Sequence, residues 1–352
     1  MTRLFSAGAE AGSMGVFDTI GAVASVSAVQ KRTGAYSFLQ NATSIGPAAG
    51  LLGTVIFAAD KTALYFRIGL YLTGVYASAN NYAPVIQLRD NAGDYQCALS
   101  IDKMTYLLHV MRRWGSQSGT DLGVTANPVP LNQWCCIEWY IKIADGTDGE
   151  SIVKIDGTTE FSDLDLDTKY TAVAGARSVG YSERDIGLTT CGVRGYYDDL
   201  AINDTVGAVN NSWIGRGGIY GIVPEGVGTY TDLHAQGHAN AWDCISEVPP
   251  DDADYVYDDT VDQKSTYALT ALTPTTGTID CINVIMRAKL DAAGTGNIAR
   301  LLRSNGTDSQ GADVGLDVSA KTIQEIIETD PSGGAAFTVA RVNALEAGAV
   351  VR

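Results

Sequence analysis

The feature that most constrains this chain is a period of two. Across residues 64–72, Leu64, Phe66, Ile68, Leu70 and Leu72 alternate with Tyr65, Arg67, Gly69 and Tyr71. Successive side chains of an extended strand point to opposite faces, so this spacing sets one face on a core and the other in water. Tyr95, Cys97, Leu99 and Ile101 repeat it. So do Cys135, Ile137, Trp139, Ile141 and Ile143, with Cys136, Glu138, Tyr140 and Lys142 on a face that reads as solvated. The loop DGTDGES, the strand at residues 151–155 and the Asp156-Gly157 turn then predict a hairpin and a further reversal. Helical periodicity is almost absent from the first 220 residues, and the pattern predicts an antiparallel jelly-roll sandwich.

Composition changes after the strand GYYDDLAI and its Asn- and Gly-rich loop. Residues 247–262, EVPPDDADYVYDDTVD, hold seven acidic residues, no basic ones and two prolines, which reads as a solvated connector. Further strands are expected near residues 267–272, 279–290 and 298–303. TIQEIIE suits strand or helix, and VARVNAL suits two helical turns stopped by Gly348. The organisation expected is therefore all-β: a jelly roll over residues 1–222, a connector over 223–262 and a smaller β-rich assembly domain over 263–352.

The charge balance excludes several classes of function. With 24 Lys and Arg against 40 Asp and Glu, the net charge is −16, and the basic residues never cluster. Such a chain lacks the phosphate contacts that dominate nucleic-acid affinity, and it gains no attraction to anionic membrane. No apolar stretch approaches the roughly 20 residues needed to span a bilayer, and the N-terminus lacks the apolar core of a signal peptide.

No catalytic constellation emerges. His234 and His238 have the i, i+4 spacing of a helical zinc site, but the Glu beside the first His is missing and Gly237 weakens a helix. Asp198-Asp199 and Glu325-Ile326-Ile327-Glu328 do not match paired glycosidase carboxylates, because adjacent strand residues face opposite ways. Calcium is the one metal this acidic, loop-rich surface could hold, at Asp199, Asn203 and Asp204. Otherwise no cofactor is expected. Of six scattered cysteines, Cys97, Cys135 and Cys191 read as core, whereas Cys136 and Cys244 are placed to oxidise between subunits.

The phrases QWCCIEWYIKI, GTDGESIVKIDGTTE and GYYDDLAIND, with TGAYSFLQN at residues 33–41, resemble laminin-G-like (concanavalin A-like) jelly rolls. More narrowly, YYDDLAIND followed by GAVNNSWIGRGGIYGIVPEGVG is similar to a group of tailed-bacteriophage virion structural proteins. The acidic PPDDADYV and the closing RSNGTDSQGAD…ETDPSGGAAFTVARVNALEAGAVV extend that likeness to the C-terminus. The resemblance implies a non-enzymatic capsid decoration or tail accessory, assembled in the host cytoplasm and displayed on the virion surface. Its partners would be capsid or tail subunits and further copies of itself.

Two surfaces follow from this reading. Ile282, Val284 and Met286 alternate with Ile279, Cys281 and Ile285 in a run apolar on both faces, so Ile279, Ile282, Val284 and Met286 are the expected assembly contacts, with burial inside their own chain as the alternative. The other surface belongs to a different class of function, host-glycan binding. Tyr76, Tyr82 and Trp213, with Tyr71 and Trp114, are its expected contacts. A glycoside hydrolase rests on fold analogy alone.

Overall fold

The computed structural model describes residues 2–41, 51–77, 81–113, 119–182 and 191–352. The chain divides into two compact units, Met1–Ala9 with Phe17–Ile219, and Glu10–Val16 with Tyr220–Arg352.

The first unit is the expected antiparallel jelly-roll sandwich. Its larger sheet runs in the order Thr158–Leu166, Gly149–Ile155, Trp134–Lys142, Ala63–Ala77, Cys191–Asp204, Ser37–Gln40, Ala24–Ser27, and Arg3–Ala7 also pairs with Cys191–Asp204. The smaller sheet runs Thr120–Val124, Leu108–Arg112, Tyr95–Asp102, Tyr82–Arg89, Ala176–Tyr181, Gly53–Lys61, Thr19–Ile20. The alternation read from sequence selects the inner faces. Leu64, Phe66, Ile68, Leu70 and Leu72 are fully buried, and so are Ile137, Trp139 and Ile141 opposite them. Each such side chain contributes about 1.5–3 kcal/mol by leaving water. Trp139 stacks on Phe66 at 5.5 Å and donates its indole N–H to Ser151 Oγ at 2.9 Å, so the one polar atom of the ring is satisfied. Phe5, Phe17, Phe38 and Tyr181 pack ring against ring at 5.1–6.4 Å.

The second unit is β-rich, with its main sheet in the order Pro224–Thr231, Lys264–Leu269, Glu346–Val351, Asn297–Ser304, Thr307–Gln310. Its core gathers Leu302, Phe337, Val342 and Leu345. Two sequence expectations are corrected here, and one left open is decided. Residues 223–262 are not a connector: they supply the strand Pro224–Thr231 to the main sheet and the ribbon strands His234–Gln236 and Tyr255–Tyr257. TIQEIIE is a strand, Lys321–Ile327, paired with Ile282–Ala288. VARVNAL gives one short helix, Val339–Val342, capped by Thr338 Oγ1, which accepts from the Arg341 N–H. Gly348 does not stop that helix. It lies within Glu346–Val351, where a Cβ would meet the Ser265 carbonyl oxygen at 1.8 Å.

Among the described residues, no helix is long and apolar enough to cross a membrane.

Candidate functional site

The outer face of the larger sheet carries the first unit's most unusual chemistry. Sequence places Arg67, Gly69, Cys136 and Glu138 there in water, yet Arg67, Cys136 and Glu138 are 1–3 % exposed. Two remote segments cover them. Gly215 N–H donates to Glu138 at 2.7 Å, and Arg67 Nε donates to the Asp199 carbonyl at 2.8 Å. Burial lowers the Arg67 pKa, against the Asp199 charge that favours its cation.

Asp198 and Asp199 fasten this cover. The register between Cys191–Asp204 and Ala63–Ala77 shifts between Asp198 and Ala201, and Asp199 takes a left-handed φ of +53°. That bulge breaks the rule that adjacent strand residues face opposite ways, so both carboxylates reach one segment. Asp198 accepts from the backbone N–H of Arg32 at 2.8 Å and of Thr33 at 3.3 Å. Asp199 accepts from the Arg32 guanidinium and the Thr33 hydroxyl, both at 2.6 Å, and from Ile219 N–H at 2.5 Å. Arg32 in turn donates to the carbonyls of Arg216 at 2.8 Å and Gly217 at 3.0 Å. Gly69 makes room, because a Cβ there would meet the Asp198 carbonyl oxygen at 2.8 Å and Arg32 Cδ at 2.9 Å. Burial, then the neighbouring Asp199 charge, raises the Asp198 pKa above the carboxylate range, against three backbone donors. Burial opposes the Arg32 cation, but Asp199 outweighs it and raises that pKa.

These contacts replace the calcium expectation. Asp199 is held by Arg32, Asn203 accepts from Arg3 Nε at 2.5 Å, and Asp204 pairs with Lys61 at 2.6 Å. Among the described residues, no group of three His, Cys, Asp or Glu side chains is placed to hold a metal ion. Cys136 and Cys244 are also corrected. Each is 1 % exposed, Cys136 beneath the cover and Cys244 in the 3₁₀ turn Asp243–Ile245, so neither is placed to oxidise between subunits.

Aromatic rings flank this polar centre along the strands. At one end Trp134, Tyr71 and Tyr196 lie in direct cross-strand register on three neighbouring strands. Their rings are 5.6 and 5.9 Å apart, edge to face, and all three residues are half-buried. Six residues away, roughly 20 Å along an extended strand, Tyr65 stacks on Tyr140 at 4.6 Å. Trp213 meets Tyr65 at 5.2 Å, and Lys154 Nζ sits 3.5 Å from the Trp213 ring centroid. Trp213 is thus engaged on several sides as the anchor of its loop. The end with Trp134, Tyr71 and Tyr196 has the simpler surface: a strip of three rings across the sheet.

The remaining expected contacts are dispersed. Tyr76 is half-buried opposite Gly192, away from Tyr82, which packs edge-on against His109 at 4.8 Å on the other sheet. His109 Nδ1 is 2.8 Å from Asp121. Trp114 lies outside the described residues. Ile279, Ile282 and Val284 pack against the second unit's own core, and Met286 is half-buried on the same strand. The two-sided apolar run is therefore used largely within its unit. Trp134 and Tyr196 escaped the sequence reading, although Trp134 shares the parity of Cys136, Glu138 and Tyr140 and so announces the outer face.

No family model matches the chain, and no curated protein matches it. Several solved structures are similar to part of the chain. Domain 4 of AbnA, a GH43 extracellular arabinanase from Geobacillus stearothermophilus, is 12 % identical with a TM-score of 0.42, covering 58 % of this chain and 92 % of that one. Endo-β-1,4-glucuronan lyase from Trichoderma reesei is 14 % identical with a TM-score of 0.41, covering 57 % and 95 %. The carbohydrate-binding module CBM66 from Bacillus subtilis is 8 % identical with a TM-score of 0.30, covering 53 % and 98 %. At these identities and TM-scores the likenesses assign no activity.

Proposed function

We propose that this chain is a non-enzymatic structural protein of a tailed-bacteriophage virion, and that its jelly roll binds surface glycan through Trp134, Tyr71 and Tyr196. The observation carrying the glycan reading is that strip: three half-buried rings in register on adjacent strands. Aromatic rings offer apolar faces to the C–H groups of a sugar while keeping polar tips for its hydroxyls. The virion reading rests on the phage-like phrases of the sequence. The non-enzymatic reading is supported by Asp198 and Asp199, whose carboxylates are fully buried and committed to fastening Arg32, Thr33 and Ile219. In this reading the protein assembles in the host cytoplasm as an oligomer on capsid or tail subunits, and it requires no cofactor.

The test has two arms. Purified protein on an array of bacterial surface polysaccharides should bind, and Tyr71→Ala and Tyr196→Ala should each weaken binding roughly tenfold, about 1.4 kcal/mol. No binder above background, or variants indistinguishable from the parent, would remove the glycan reading. Mass spectrometry of purified particles should find the chain, and particles without it would remove the virion reading.

A further inference from the structure

The second unit carries an exposed two-stranded ribbon, His234–Gln236 paired antiparallel with Tyr255–Tyr257. His234 lies opposite Tyr257 and Gln236 opposite Tyr255, so these four side chains share one face. Ala235 and Val256 are half-buried on the other. Tyr255 is 44 % exposed, Tyr257 is 49 % exposed, and the His234 side chain is 68 % exposed. Tyr257 is 5.6 Å from the His234 ring and 5.9 Å from Tyr255, and the rings are inclined rather than coplanar. This ribbon shows three neighbouring aromatic rings to solvent.

The charge around the rings is one-sided. Residues 247–262 hold seven acidic residues and no basic ones. Of these, Asp252 is matched by both nitrogens of the Arg287 fork at 2.7 Å, and Asp262 by Arg352. Asp254 and Asp258, which bracket the two tyrosines, have only histidine ion-pair partners among the described residues. His238 is 3.1 Å from Asp254 and 3.6 Å from Asp243, and His234 is 3.8 Å from Asp258. Neither carboxylate has a Lys or Arg ion-pair partner among the described residues, and Asp258 also accepts from the Thr260 N–H at 2.8 Å. Ring faces are negative as well, and they attract cations.

We propose that this ribbon face docks a basic polypeptide segment of a partner protein, placing an Arg or Lys side chain over Tyr255 and Tyr257 within reach of Asp254, with the charge of Asp258, whose side chain is 8 % exposed, acting from beneath. The same unit already combines these groups internally. Lys264 Nζ is 3.7 Å and the Arg303 guanidinium carbon 5.3 Å from the Tyr230 ring centroid, and Asp308 accepts from both Arg303 and the Tyr230 hydroxyl. On the ribbon the rings and carboxylates are present, and the cation is the missing component. A saccharide could stack on the rings, but a neutral one leaves the carboxylates unmatched and an acidic one is repelled. Charge therefore favours the cationic segment.

The test uses the full chain and a labelled peptide of alternating Arg and Gly, with Lys–Gly and Glu–Gly peptides and a chitosan tetrasaccharide for comparison. The Arg peptide should bind and the Glu peptide should not. Tyr255→Ala with Tyr257→Ala should weaken the Arg peptide about fivefold although net charge is unchanged. Asp254→Asn with Asp258→Asn should weaken it at least as much. Asp163→Asn with Asp165→Asn, an equal charge change on the other unit, should alter it less than about twofold. The proposal is overturned if the tyrosine pair binds like the parent, if the control pair weakens binding as much as the ribbon pair, or if the Arg peptide fails to bind. Tighter, tyrosine-dependent binding of the chitosan fragment would overturn it in favour of a sugar platform. The glycan array above probes a different unit, so its failure leaves this inference standing.

Discussion

Asp199→Asn is the most informative single change, because it removes one charge from the fastening of the outer face and keeps the side chain's shape. The Asp199 side chain is fully buried and Arg32 only 15 % exposed, so solvent screens the pair little. Removing one partner of a buried pair typically costs about 3–5 kcal/mol, since the other charge stays behind. Two effects reduce that here. Arg32 keeps the carbonyls of Arg216 and Gly217, and Asp198 is relieved of its charged neighbour. A net loss of about 2–4 kcal/mol is expected. Hydrogen exchange of the slowest amides of Ala63–Ala77 reads the first unit alone, and protection there should fall roughly 30- to 900-fold. The Ile219 amide, which donates to Asp199, should lose protection further. The variant also carries a pH signature. Asp198 has a raised folded pKa, so the folded unit binds more protons than the unfolded chain, and stability falls as pH rises from about 4 toward that raised value. Burial remains in Asp199→Asn but the adjacent charge is gone, so this slope should shrink. A loss under about 1 kcal/mol with an unchanged slope would refute the fastening.

Three further outcomes are expected. Gly69→Ala should destabilise the first unit by about 1–3 kcal/mol, because its Cβ meets the Asp198 carbonyl oxygen as well as Arg32 Cδ; a melting temperature equal to the parent's would count against the close approach of the two strands. In the second unit the opposite linkage applies. Glu346 and Asp308 are opposed by burial, but hydrogen bonds from Thr266 and Thr229 to Glu346, and from Tyr230 and Arg303 to Asp308, hold both below the carboxylate range. Their stabilisation is present above about pH 4 and lost as pH falls through the depressed values, so Glu346–Val351 amides should lose protection as the pH is taken down through that range, and unchanged exchange would contradict it. Finally, burial pushes the Cys136 thiol up to about 11 and raises Cys97 and Cys135 further, so native protein should modify at half-buried Cys281 first when treated with a thiol reagent. Prior labelling of Cys136 would mean that the cover opens readily.

Alternation read the sandwich correctly because strand period is a local property. The inner faces at residues 64–72 and 135–143 needed only the residue order. What covers the outer face is not local. Residues 32–33 and 212–219 reach Asp198 and Asp199 through the fold, so Glu138 and Cys136 looked solvated and Cys136 looked oxidisable. The paired aspartates misled for a different reason: the rule of opposite faces holds for regular strand, and a left-handed Asp199 suspends it. The strand holds two glycines, and only Gly69 marks a close approach: a Cβ at Gly74 would meet nothing within 4 Å, so residue type alone did not single out Gly69. The aromatic strip was half legible. Tyr71 stood out as a candidate, but its partners needed the register between strands, which one sequence does not state. The ribbon was hidden by composition, since a run of Asp and Pro reads as connector even when Tyr255 and Tyr257 alternate within it.

The segment from Tyr196 to Ile219 closes the outer face of the jelly roll. YYDDLAIND supplies the bulge and both fastening carboxylates, and NNSWIGRGGI supplies the cover they hold, anchored by Trp213 on Tyr65 and by Gly215 on Glu138. Likeness in these phrases therefore speaks to how the jelly roll is closed, not to what it binds. Of the three rings proposed to meet glycan, only Tyr196 falls within the phrase, while Tyr71 and Trp134 lie on strands outside it. Chains sharing the phrase are expected to build the same fastening and to differ in ligand through positions such as 71 and 134. Transplanting both rings onto a chain that has the fastening but not the strip should transfer glycan preference without changing stability by more than about 1 kcal/mol. Transfer of preference by exchanging the phrase alone would show that the binding surface lies in the cover itself.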